Sequence, residues 1–166
     1  LPDADLLGRF LDARDQSAFA ELVARHGPAV LAVCRSVLPD PNDADDAAQA
    51  TFLVLVRRAA AVRDRGALGA WLCRVAWRTA NRLRADNARR AARAAAVDPD
   101  STPAAEPARD ALALAAVLDE VGRLPEVYRV AVLACYASGT STADAARQLG
   151  WPKGTLLTRL AWARKR

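Results

Sequence analysis

The chain has 166 residues, 24 Lys and Arg against 19 Asp and Glu, and a formal net charge of +5. Its hydrophobic fraction is 52%, and 40 of those residues are alanine, the best helix former, so an all-β fold is excluded in favour of one or two small helical cores. No apolar stretch approaches ~18 residues, so no membrane insertion is expected.

Residues 4–38 read as helical, with an apolar stripe from Leu6, Leu7, Phe10 and Leu11 through Phe19, Leu22, Val23, Val30, Leu31, Val33 and Val37. A break or kink is expected at Gly27-Pro28, because proline removes a helix donor. Pro39-Asp-Pro-Asn42 reads as a turn, and a second helix starts near Asp43. Asp43, Asp45 and Asp46 lie in its first turn, where the helix dipole favours negative charge. Ala48, Phe52, Leu55 and Ala59 repeat at helical spacing and are expected to face the core.

Residues 62–69 form a polar, glycine-containing loop, and a third helix runs from about Ala67 to Arg93. Leu68, Leu72, Val75, Thr79 and Leu83 make its expected buried stripe. Arg74, Arg78 and Arg82 recur four residues apart as a basic stripe on another face, with Trp77, Asn81 and Arg84 beside it. Residues 94–108 are proline-rich and almost without large apolar residues, which marks a flexible linker spanning at most ~50 Å when extended. A helix through Leu112, Leu118 and Val121 then ends at Gly122, and Leu124-Pro125 opens another that ends at Gly139. Thr140-Ser141-Thr142 caps a short helix to Leu149, Gly150-Trp151-Pro152 turns, and a basic helix with Leu156, Leu160 and Ala163 inward runs to the end. Short helix, glycine turn and basic helix make a helix-turn-helix layout. The fold class is therefore all-α: two small helical domains on a flexible linker, the second a helix-turn-helix domain.

Cysteine and histidine narrow the chemistry. Cys34, Cys73 and Cys135 are far apart, without a Cys-x-x-Cys pair, and read as buried thiols of a reducing, cytoplasmic compartment. The lone His26 cannot build a metal cluster with them and reads as structural. No phosphate loop and no nucleophile with a motif-like partner occurs, so no catalytic residue, metal or cofactor is assigned. No signal peptide is visible at the start, and the absence of any Met points to a piece of a longer chain.

The net charge hides four blocks: −5 over residues 1–50, +9 over 51–97, −5 over 98–126 and +6 over 127–166. Two basic patches separated by an acidic stretch fit two contacts with one polyanion.

Two stretches carry a family resemblance. The first is Asp43-Ala-Asp-Asp-Ala-Ala-Gln49-Ala-Thr-Phe-Leu-Val-Leu with Ala70-Trp-Leu-Cys-Arg-Val-Ala76. The second is Leu124-Pro-Glu-Val-Tyr-Arg129, Gly139-Thr-Ser-Thr-Ala-Asp-Ala-Ala-Arg-Gln-Leu-Gly150 and Pro152-Lys-Gly-Thr-Leu-Leu-Thr-Arg-Leu160. In this order the chain resembles bacterial RNA polymerase sigma factors of the extracytoplasmic-function (ECF) group, over about residues 5–92 and 109–166. The resemblance implies a sigma domain two over residues 1–93, a linker over 94–108 and a sigma domain four over 109–166. It implies a factor that binds core RNA polymerase and promoter DNA, the polymerase doing the chemistry; an anti-sigma factor is a further partner it allows.

The same resemblance assigns residues. Asp43, Asp45, Asp46 and Gln49 are expected to dock on a coiled coil of the polymerase's largest subunit. Loop 62–69 and the following helix are expected to read the upstream-ten element and capture an unstacked base. There Arg63, Arg65, Arg74, Arg78, Arg82 and Arg84 supply positive charge, Asn81 a paired donor and acceptor, and Trp77 a stacking ring, whereas Trp71 reads as core. In the last helix Lys153, Thr155, Thr158, Arg159 and Arg164 are expected to read the upstream-thirty-five element, with Lys165 and Arg166 on phosphates. The chain departs from the family's pattern at Leu157 and Trp162, where basic residues are usual, and at Trp77-Arg78, which replaces an Arg-Asn pair.

Two other readings remain open to the residues alone. A freestanding helix-turn-helix regulator leaves the acidic helix and loop 62–69 unexplained. A helical metal-dependent enzyme using the aspartate cluster lacks a second acid cluster to face it.

Overall fold

The computed structural model describes residues 1–97 and 109–165. Eight helices are described: α1 (Asp3–Ala13), α2 (Gln16–Val37), α3 (Pro41–Arg58), α4 (Leu68–Val97), α5 (Arg109–Arg123), α6 (Glu126–Tyr136), α7 (Thr142–Leu149) and α8 (Lys153–Ala163). Short 3-10 turns at Ala59–Ala61 and Arg65–Ala67 join α3 to α4, and no strand occurs among the described residues. The helices α2, α3 and α4 pack pairwise with α1 against α2, and α6, α7 and α8 pack together. The two groups also touch, through α4 against α6 and α7 and through α2 against α6.

The first helical stretch divides elsewhere than at Gly27-Pro28. Arg14 adopts φ 52°, the left-handed conformation that ends α1, and Asp15 caps α2 by accepting from the backbone N–H of Ser17 and Ala18 at 2.9 and 3.1 Å. The α2 helix then runs unbroken past Pro28. Proline forfeits one backbone bond there, while burial of His26, Ala29, Val30 and Val33 on either side holds the helix in the core. His26 is satisfied within that core, its Nε2 lying 2.8 Å from Asp3 Oδ2.

The α3 helix starts at Pro41, two residues before Asp43. Asp40 caps it through the Asn42 N–H at 2.8 Å, and proline is tolerated at the first helical position. Its buried face is Ala44, Ala47, Thr51 and Leu55; Ala48 and Phe52, expected inside, are half-buried. The Thr51 hydroxyl is accommodated by donating to the Ala47 carbonyl at 2.8 Å.

The α4 helix continues to Val97, four residues into the stretch read as linker; the rest of that stretch, residues 98–108, lies outside the described residues. Leu68 and Leu72 are buried as expected, but Val75, Thr79 and Leu83 are half-buried. Gly69, Ala70, Cys73, Ala76, Trp77 and Ala80 are buried instead. Covered by α2 and α3 on one side and by α6 and α7 on another, this helix buries small residues where partners approach closely.

In the second group Ser141 caps α7 by accepting from the Asp144 N–H at 3.1 Å. Gly150 ends it at φ 69°, with the Trp151 N–H donating to the Ala146 carbonyl at 2.9 Å. Leu156 and Leu160 anchor α8, and Ala163 is half-buried.

Candidate polymerase and nucleic-acid interfaces

The acidic start of α3 separates into two kinds of residue. Asp43 is half-buried and accepts from Asn87 Nδ2 at 2.7 Å, which ties α3 to α4. Asp45, Asp46 and Gln49 are exposed, with Arg35 Nη2 4.0 Å from Asp45. Along the same face Leu53 is 55% exposed and Val56 follows it. Asp46, Gln49, Leu53 and Val56 stand three or four residues apart, so acids at one end and apolar groups at the other form one continuous exposed stripe. Leu53 and Val56 were not among the expected docking residues. Their signal in the sequence is that they fall out of phase with the buried Leu55.

Arg63, Arg74 and Arg78 line one open groove between the 62–67 loop and α4. Trp71 and Val75 share its lining, and Glu126 of α6 stands in it too. Arg78 Nη2 donates to Glu126 Oε1 at 2.8 Å, and Arg74 Nε lies 4.0 Å from the same oxygen. Asp64 shapes the loop by capping its 3-10 turn, accepting from the N–H groups of Gly66 and Ala67 at 3.1 and 3.2 Å.

Other expected DNA contacts sit apart from this groove. Arg65 is exposed beside Gly8 of α1. Arg82 is exposed and Arg84 half-buried farther along α4. Asn81 turns back to donate its Nδ2 to the Trp77 carbonyl at 2.9 Å. Trp77, expected at the DNA face, is 7% exposed, with Gly122 beside its ring and the Arg129 guanidinium 5.7 Å from the ring centre. The two tryptophans thus exchange places: Trp71, expected in the core, is half-buried in the groove lining.

On α8, Lys153, Leu157 and Thr158 are exposed, Thr158 donating to the Gly154 carbonyl at 3.0 Å. Thr155 is half-buried. Arg159 lies over the Trp151 ring at 4.0 Å, a cation–π contact that fixes its direction. Arg164 donates twice to Tyr136 Oη, at 3.1 and 2.8 Å, and so is anchored on α6. Trp162 stacks on Tyr128 with ring centres 3.8 Å apart, which gives its departure from the family's pattern a packing role.

The cysteines offer no reactive thiolate: burial pushes the Cys34 and Cys73 thiols up to about 12. Among the described residues, no group of three or more His, Cys, Asp or Glu could hold a metal ion, and no helix is long and apolar enough to cross a membrane.

Comparison with known proteins gives the family. Residues 22–90 match Sigma-70 region 2, and residues 114–166 match Sigma-70, region 4. The chain is 36% identical over 165 residues to the ECF RNA polymerase sigma factor SigM of Mycobacterium tuberculosis, covering 99% of this chain and 82% of that protein. The SigM of a second strain is 35% identical over the same length. Among solved structures it resembles CnrH in complex with the cytosolic domain of CnrY, at 29% identity and a TM-score of 0.52, covering 98% of this chain and 92% of that one. With region 2 over the groove and acidic stripe, and region 4 over the helix-turn-helix, this chain belongs to the ECF RNA polymerase sigma factors, which direct transcription initiation with RNA polymerase.

Proposed function

We propose that the exposed stripe of α3 docks the chain on core polymerase, with Asp45, Asp46 and Gln49 as polar contacts and Leu53 and Val56 as apolar ones. The observation that carries this reading is an acidic-apolar face left uncovered on a helix otherwise committed to the core. Such a face suits a partner that is basic at one end and apolar at the other. Asp43 serves the fold first, through Asn87.

The groove of Arg63, Arg74, Arg78 and Trp71 captures the displaced strand at the upstream-ten element. A basic channel with an aromatic wall is what an unstacked base and its phosphates require. Arg65, Arg82 and Arg84 add charge along the strand's path. Lys153, Thr158 and Leu157 face the duplex at the upstream-thirty-five element, Thr155 stands at the margin of that face, and Arg159 is aimed by Trp151. The chain divides into a polymerase-docking and strand-capturing unit before residue 94 and a duplex-reading unit after residue 108. It acts in the cytoplasm and supplies no catalytic group of its own. CnrH is bound by CnrY, and an anti-sigma partner of that kind is proposed here as well.

The test is promoter selection from a random duplex pool by core polymerase with this chain. Enriched fragments carrying two elements at a fixed spacing are the expected result. Palindromic fragments bound without polymerase contradict it.

A further inference from the structure

We propose that Leu157 and Ala161, side by side on the outward face of α8, read the 5-methyl groups of thymine in the upstream element, so that this chain selects thymine there by apolar contact. This rests on the reading of α8 as the duplex-facing helix.

What α8 buries defines the face. Leu156 and Leu160 hold the helix to the core. At 3.6 residues per turn, Gly154, Leu157, Thr158 and Ala161 then fall within about 100° of arc on the outer side. All four are exposed, Leu157 by 45%. Lys153 and Lys165 are exposed at the two ends of the same face. Cations at the ends suit phosphates on either side of a groove, and leave the middle of the face to the bases. Gly154 has open space where a Cβ would stand, so no packing within the chain requires glycine there. Its bare backbone lets the first turn of α8 come close to a groove floor.

The middle of this face offers almost nothing to the hydrogen-bond code of the bases. Gly154, Leu157 and Ala161 carry no polar side-chain atom, and Thr158 has spent its hydroxyl proton on the Gly154 carbonyl at 3.0 Å. Arg159, drawn to the Trp151 ring, is half-buried and stands to one side. In the major groove the thymine 5-methyl is the one apolar group that a base presents. A cytosine in its place would set its N4 amino group against Leu157, losing water without gaining a protein partner. Thymine is thus favoured twice, by the methyl it buries and by the unpaired donor it avoids. From Gly154 to Ala161 the helix rises about 10 Å, the length of about three base steps, which gives the run room for two neighbouring thymines.

The experiment uses the full chain bound to core polymerase. A random duplex pool supplies the upstream element, and each thymine of the recovered element is replaced in turn by deoxyuridine, which lacks only the methyl. At one or two of those thymines deoxyuridine is expected to weaken binding about fourfold, the scale of one buried methyl group. Leu157→Ala is expected to remove most of that difference at the same thymines. The position is exposed and alanine is the better helix former, so the variant keeps α8 intact. A merely structural role of Leu157 would lower binding to both duplexes alike. An upstream element without thymine, equal binding of thymine and deoxyuridine at every position, or a difference unchanged by Leu157→Ala overturns the proposal. Lys153→Ala and Arg159→Ala locate the failure. If they weaken binding while deoxyuridine has no effect, α8 reads the duplex and only the methyl readout falls. If neither changes binding, the reading of α8 as the duplex-facing helix falls with it.

Discussion

Asn87 donates to Asp43 across 2.7 Å, joining the first turn of α3 to the middle of α4. The bond shows that neighbouring acids of one short motif are used differently: Asp43 inward, Asp45 and Asp46 outward. Asp43→Ala is therefore expected to lower stability by about 1 kcal/mol, the scale of a half-buried hydrogen bond to a charged group. Asp46→Arg is expected to leave the melting temperature unchanged and weaken polymerase binding. Thermal melts and affinity for core polymerase, measured on both variants, separate the two roles.

Leu53 extends the exposed stripe of α3 beyond the acids, and the proposed docking includes it. An exposed leucine contributes nothing to the core, so Leu53→Glu is expected to preserve folding. At an interface centre the same change removes an apolar contact and adds a charge, and a loss of about tenfold in polymerase affinity is expected. Titration of labelled core polymerase checks it; wild-type affinity removes Leu53 from the interface.

Asp15 supplies the pH dependence. Hydrogen bonds from Ser17 and the Ala18 backbone, with Arg9 at 2.5 Å, lower its carboxyl from 3.8 to about 2. A depressed folded-state pKa means that its stabilisation is complete above 3.8 and is lost as pH falls toward about 2. Asp15→Ala is expected to melt below wild type at neutral pH, with the gap closing through that acid window. A gap that persists at the bottom of the window contradicts the capping role.

Lys153 and Arg159 are expected to fail differently on DNA. Lys153→Ala is expected to weaken binding to all duplexes alike and to reduce the salt slope by about one, as the loss of one phosphate contact does. Arg159 is aimed by Trp151, so Arg159→Ala is expected to cost about tenfold on the selected upstream element and little on other duplexes. Equal losses on every sequence make Arg159 a phosphate contact.

Local chemistry made much of this fold legible. Ser141 and Gly150 bound α7 through a cap and a left-handed turn, and both are written in three or four adjacent residues. The break at Arg14-Asp15 was hidden because an arginine took the left-handed position that glycine usually marks. The burial of α4 was less legible still. Its second covered side is made by α6 and α7, more than 40 positions away, and no periodicity within α4 records their approach. The same distance explains the tryptophans. Trp71 and Trp77 lie on one helix, and only the arrival of Gly122 and Arg129 buries one and leaves the other in the groove lining.

The most direct test of the whole account is run-off transcription by core polymerase from a promoter fragment selected with this chain. The account predicts a discrete transcript with the chain present, greatly reduced by Asp46→Arg and by Arg78→Ala. Equal transcription with wild type, Asp46→Arg and Arg78→Ala contradicts it.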